Sequence, residues 1–99
     1  MANYCLSNKA ISDLSDIWNY TFDIWSESQA DKYYHLLLGC CKELAEAKVS
    51  GRNYPEVNEE IFGFRIAQHI IFYQKHQKDK IAIVRILNSM MDLKLRLLE

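Results

Sequence analysis

Three short apolar runs fill the second half of this chain, each interrupted by one or two polar groups: Phe62-Gly63-Phe64-Arg65-Ile66-Ala67, His69-Ile70-Ile71-Phe72-Tyr73-Gln74-Lys75 and Lys80-Ile81-Ala82-Ile83-Val84-Arg85-Ile86-Leu87. Runs of this length, rich in β-branched and aromatic side chains, favour strands, and the joins between them are too short to hold a helix. An antiparallel meander is therefore expected. The first half reads almost entirely as helix, so the chain is predicted to be α+β, a helical hairpin packed on one small sheet.

The first helix begins after a short strand, Tyr4-Cys5-Leu6, and either Ser7 or Asn8 can cap it by accepting a hydrogen bond from its first turn. Ala10, Leu14, Ile17, Trp18, Thr21 and Trp25 then recur at helical spacing, which turns Asp13, Asp16, Asn19 and Asp23 outward. Ile11, Phe22 and Ile24 widen the apolar stripe beyond what one packing partner requires, so this helix is expected to touch two things. Ser26-Glu27-Ser28-Gln29 has the form of a capping box and marks a restart. The second helix is expected from about Glu27 to Lys48, with Ala30, Tyr33, Tyr34, Leu37, Cys41, Leu44 and Ala45 inward, and with Gly39 admitting another backbone nearby. Gly51 and Pro55 are the expected stop signals. Residues 51–60 form the one extended polar stretch, either a mobile or partner-contacting loop or a simple connector, and Met91 to Leu98 form either a short helix or an irregular tail.

Ninety-nine residues suit a single domain, 1–99, and 49% apolar residues supply one packed core. The start lacks a basic region followed by an apolar run, and no stretch approaches the ~20 apolar residues of a membrane span, so a cytoplasmic protein without membrane contact is expected. Charge is divided. Residues 1–50 carry four lysines against seven acids, whereas Arg65 to Leu98 carry seven cations against Asp79 and Asp92. The sheet side is thus either the surface for an acidic partner or an ordinary solvated face.

The cysteines match no metal or disulfide spacing: Cys40 and Cys41 are neighbours on a helix and point about 100° apart, so they and Cys5 are expected to be small buried thiols. His69 and His76 stand at opposite ends of a strand and His35 lies on the second helix, so no metal site is expected. Arg65 and Arg85 sit inside otherwise apolar strands, and a guanidinium there must reach a carboxylate, loop carbonyls, solvent or a partner. Strict alternation sets Arg85 with Ile83 and Leu87, against Val84 and Ile86. Trp18 and Trp25, seven apart, would share a helix face and either pack in the core or wall a groove.

Four blocks in order, Leu6-Ser7 with Ala10, Asp13-Leu14 and Ile17-Trp18; Trp25 with Gln29-Ala30 and Tyr33; Phe64-Arg65-Ile66 with His69-Ile70-Ile71-Phe72-Tyr73; and Val84-Arg85-Ile86-Leu87 with Met91-Asp92, resemble the ParE branch of the RelE/ParE toxin superfamily of bacterial type II toxin–antitoxin systems. The resemblance implies a β-α-α-β-β-β fold, a ParD-like antitoxin that covers the toxin in a hetero-oligomeric complex, and growth arrest through DNA gyrase by binding rather than catalysis. It implies neither a cofactor nor sequence-specific DNA binding. On this reading Leu14, Trp18, Trp25, Tyr33, Leu37, Arg65 and Arg85 would meet the antitoxin, and His69, Met91, Asp92 and Arg96 the target. Two positions depart from the family pattern: Asn88 stands where a histidine usually follows Arg-Ile-Leu, and Met90 where a basic residue often precedes Met-Asp. A toxin so altered could also retain antitoxin binding alone.

The rival mechanism in that superfamily is RelE-type, ribosome-dependent cleavage of mRNA. It needs proton-transfer groups and cations to stabilise the charge that develops on phosphorus. Arg65, Tyr73 and Arg85 would be its core, with His69 and His76 in reserve. A formal charge of −1 argues against a mechanism that draws affinity from phosphate neutralisation, and Asn88 transfers no proton at neutral pH.

Overall fold

A computed structural model describes residues 3–77, 79–90 and 96–97 of the chain. In order these form β1 (Asn3–Leu6), α1 (Asn8–Ile24), α2 (Glu27–Ala45), β2 (Arg52–Asn53), β3 (Phe62–Ile66), β4 (His69–Gln77) and β5 (Lys80–Asn88). The five strands make one sheet in the order β1-β5-β4-β3-β2. β1 runs parallel to β5 and every other pairing is antiparallel. The expected hairpin of helices on a mainly antiparallel sheet is what forms, with a two-residue strand added inside the stretch read as loop. No described helix is long and apolar enough to cross a membrane.

Of the two candidate caps for α1, Ser7 is the one used: its Oγ accepts from the Ala10 amide at 3.0 Å and donates to the Val84 carbonyl at 2.7 Å. One hydroxyl thus starts the helix and ties it to the last strand. Ser26 starts α2 in the same way, accepting from the Gln29 amide at 3.1 Å. The end of α2 differs from expectation. The helix closes at Ala45, and Ala47 takes the left-handed conformation, φ 59°, that Gly51 was expected to provide. The Lys48 amide reaches the Glu43 carbonyl and the Ala47 amide the Leu44 carbonyl, the paired bonds of a Schellman motif. Those two bonds offset the roughly 1–2 kcal/mol that a Cβ costs in this region. Gly51 has another task, because a Cβ there would lie 2.5 Å from the Gly63 carbonyl oxygen. At Gly39 a Cβ would meet nothing within 4 Å, so no backbone approaches it as the sequence had suggested.

Both faces of the sheet are covered. On the helix side Ala10, Leu14, Leu37, Cys41 and Leu44 pack on Ile71, Ile83 and Ile86. On the other side Ile61, Ile70, Phe72 and Leu87 form a smaller cluster capped by Tyr54, Val84 and Leu97. The polar stretch before β3 is therefore a cover: Tyr54 sets its ring edge-on to Phe72 at 5.2 Å, and its amide bonds the Ile61 carbonyl. A register shift on β4 between Phe72 and Tyr73, opposite Arg85 and Ile83, leaves Val84 as an extra residue in β5. The bulge corrects the strict alternation read from sequence, since Ile83 and Ile86 now share the helix side while Val84 and Leu87 share the other. Arg85, between them, reaches Asp13 of α1 and the Arg96 carbonyl. Of the tail from Met91 to Leu98, residues 91–95 and 98 lie outside the described residues, and 96–97 are helical.

Candidate functional site

The pairing of β1 with β5 stops at Leu6 and Ile83, where the chain turns into α1. Beyond that point no strand among the described residues neighbours this edge of β5, and the carboxylate of Asp13 takes the place of one. Its Oδ2 accepts from the Ile86 amide at 3.0 Å and from Arg85 Nε at 2.8 Å, while Oδ1 accepts from Arg85 Nη2 at 3.0 Å. Arg85 Nη1 continues to the Arg96 carbonyl at 2.9 Å. A planar guanidinium is suited to this forked pairing, and both partners are largely buried, at 12% and 11% side-chain exposure. Asp13 was expected to face solvent. It lies instead on the inward stripe between Ala10, Leu14 and Ile17, where only a strong partner makes an acid tolerable. The signal was present in the sequence: one acid within an apolar helix stripe and one arginine within an apolar strand are complementary.

Over this ion pair opens a groove of about 910 Å³. Ile17, Tyr20, Thr21 and Trp25 form one wall, Tyr33 and His69 another, and Ile86, Leu87, Asn88 and Met90 the sheet end. Tyr20 and Gln68 line the groove as well, and nothing in their sequence context marks them as contact residues. The apolar wall arises because α1 outruns the sheet. Tyr20 is 68% exposed, Ile24 57% and Trp25 74%. Trp18, by contrast, is half-buried, stacked on Phe22 at 5.3 Å and donating its indole N–H to Asp31 at 3.0 Å. Trp25 lines the groove and Trp18 does not; Trp25 is the C-cap residue, with φ −118° and ψ −84°.

The Tyr33 hydroxyl and His69 Nδ1 share a hydrogen bond of 2.6 Å. Burial pushes the Tyr33 phenol up, and burial also pushes His69 below its usual range despite the nearby Asp13 carboxylate. Both groups are thereby held neutral. Asp13 and Arg85 at the floor of the groove are paired to one another, and Tyr20, Trp25 and Tyr33 line it with aromatic rings. Such a surface suits apolar contact with another chain.

The remaining expected site residues are scattered. Leu14 and Leu37 are buried inside the chain's own core and cannot touch an antitoxin directly. Arg65 is exposed and lines a different cavity from Arg85, and Tyr73 is buried with its hydroxyl accepting from the Gly51 amide at 2.9 Å. The three residues named for RNA cleavage therefore do not converge on one surface. His76 is exposed at the far end of β4, and Met91 and Asp92 lie outside the described residues. Among the described residues no group of three histidine, cysteine or acidic side chains could hold a metal. Cys40 and Cys41 are buried as expected, and burial raises their thiols to about 11 and about 12, which keeps them protonated. Cys5 departs from expectation, since on the edge strand β1 it is exposed.

A sequence model of the family described as ParE toxin of type II toxin–antitoxin system, parDE, matches residues 4–93. Toxin ParE1 of Mycobacterium tuberculosis is 30% identical over 91 residues, covering 92% of this chain and 93% of that protein. Toxin ParE1 of Caulobacter vibrioides is 32% identical over 94 residues, covering 93% and 94%. Among solved structures, a chain of the chromosomal ParDE TA system from P. aeruginosa matches with a TM-score of 0.70 over 89% of this chain and 95% of its own length. At 18% identity that last likeness is one of fold.

Proposed function

The chain belongs to the family of ParE toxins of type II toxin–antitoxin systems, and we propose that it arrests growth by binding DNA gyrase and is neutralised by a ParD-like antitoxin seated in the groove beside α1. The observation that carries the antitoxin half is the overhang of α1. Tyr20, Ile24 and Trp25 present large apolar surface that the described residues do not cover, next to a groove in which Asp13 and Arg85 are already paired to each other. Water is a poor solvent for such a patch, and an amphipathic segment of an antitoxin would remove it from contact with water. Trp18 and Tyr33 adjoin this surface. His69, Met90 and Arg96 close the same groove from the sheet end, so a target that uses them would compete with the antitoxin.

Action by binding rather than RNA cleavage is supported by the separation of Arg65, Tyr73 and Arg85, which leaves no shared place for a scissile phosphate among them. Expression of the chain alone should stop growth and induce the DNA-damage response, with gyrase trapped on cleaved DNA. Co-expression with the antitoxin of its own operon should relieve both. Cutting of messages within translated codons, with gyrase unaffected, would overturn the proposal.

A further inference from the structure

We propose that the outer edge of β3, where β2 stops short, is a docking site for an extended acidic peptide segment that adds to the sheet as a further strand. β2 pairs with β3 only at Asn53–Phe62 and Arg52–Gly63. β3 continues through Phe64, Arg65 and Ile66, which pair with β4 on their inner side only. Before Arg52 the chain leaves the edge, because the Gly51 amide is drawn to the Tyr73 hydroxyl. The step between the two strands is a cavity of about 480 Å³ lined by Ser50, Gly51, Arg52, Phe64 and Arg65. A strand edge offers backbone N–H and C=O groups at regular spacing, which a peptide backbone satisfies and a nucleic acid does not.

Two guanidiniums select the occupant. Arg52 faces Gly63 and Arg65 follows two residues later on β3, a diagonal relation within reach of long side chains on one face. Arg52 is held flat on the Tyr54 ring, its guanidinium carbon 3.7 Å from the ring centre, and its pairing with Glu56 at 3.5 Å is exposed on both sides. Arg65 is exposed beside it. Carboxylates at alternate positions of an incoming strand would meet both heads in turn. A second copy of this chain is disfavoured, since pairing β3 with itself sets Arg65 near its own counterpart. This site shares no lining residue with the groove beside α1 and does not depend on the proposed antitoxin contact.

The test is an amide-resolved NMR titration of the full chain with a capped peptide of about eight alternating Glu and Thr residues, long enough to match a strand. The expected result is perturbation at Phe64, Arg65 and Ile66, with slowed hydrogen exchange at Arg65, whose backbone groups alternate toward the outer edge. Affinity should fall by about fivefold or more in Arg65→Glu and in Arg52→Glu. A Lys/Thr peptide should fail on the parent chain and bind the double variant Arg52→Glu/Arg65→Glu. Both positions are exposed, so unchanged amide spectra elsewhere will show that the variants fold. Absence of binding at millimolar peptide, perturbation centred on the Trp25 groove, equal binding of the Lys/Thr peptide by the parent chain, or a stronger response of these amides to oligothymidylate would each overturn the proposal.

Discussion

The two halves of α1 are built from similar residues and have opposite fates. Its first turns place Ala10, Asp13 and Leu14 in the core, including the one buried charged side chain among the described residues. Its last turns, and the cap that follows, leave Tyr20, Phe22, Ile24 and Trp25 exposed, although these are large and mostly apolar. Hydropathy alone would not have set Asp13 inside and Ile24 outside. The difference lies beneath the helix: a 17-residue helix is about 26 Å long, whereas the β1 strand that leads into it ends at Leu6 and the sheet edge it covers ends soon after. The first half is therefore fixed by its own chain, and the second is left to meet another.

The largest expected effect comes from cutting the anchor of the first half. Asp13→Ala leaves Arg85 and the Ile86 amide without their carboxylate, which should cost about 3–5 kcal/mol, a large part of the stability of a domain this size. Urea unfolding should show a lowered midpoint with an unchanged slope, and Arg85→Ala should behave alike. The double replacement Asp13→Leu/Arg85→Met should recover part of the loss, because a buried pair removed together leaves no stranded charge. Trp25→Ala should move the midpoint by no more than about 0.5 kcal/mol. Equal losses from Asp13→Ala and Trp25→Ala would erase the distinction between the two halves.

Binding should reverse that order. Trp25→Ala removes a large exposed ring at the groove rim and is expected to weaken association with the cognate antitoxin by about 2 kcal/mol, roughly thirtyfold. Calorimetry with the purified pair would measure it. Phe22→Ala also unstacks Trp18, so its effect should be shared between stability and binding. A Trp25 variant that binds as tightly as the parent chain would move the antitoxin surface off the overhang.

Much of this architecture was legible in the sequence because strands and helices follow from local periodicity. The meander, both serine caps and the helical hairpin are properties of contiguous residues. The misreadings fall where a distant partner or a broken period decides. Asp13 looked solvent-facing because its partner Arg85 is 72 positions away. Arg85 was set on one face with Leu87 because nothing local announces the bulge at Val84. Trp25 was counted on a helical stripe, though it is the residue at which the helix stops. Ala47 closes α2 in a conformation that favours glycine, held there by two carbonyls of the preceding turn. At the site the aromatic excess on α1 was readable, but where the sheet edge ends beneath it was not, and that sets which aromatics remain exposed.

The smallest effect probes the hinge between the two halves, where Tyr33 of α2 meets His69 of β4 across the groove. Burial holds His69 below the usual 6.5, so the folded chain prefers the neutral ring while the unfolded chain takes up a proton more readily. Its contribution to stability is therefore fully present above about pH 6.5 and is lost as the pH falls through the folded value. Protonation would also make both ring nitrogens donors, so that the Tyr33 hydroxyl could only accept, and would place a charge in the wall that faces Trp25. Unfolding midpoints followed from pH 7.5 downward should decline in the parent chain below about pH 6.5. His69→Gln, which keeps an acceptor for the phenol but has no proton to gain, should flatten the curve in that window. Antitoxin affinity should follow the same pH dependence in the parent chain and lose it in His69→Gln. A parent chain whose midpoint rises on acidification, or a His69→Gln curve parallel to the parent's, would show that this contact is not what joins the buried half of the groove to its exposed rim.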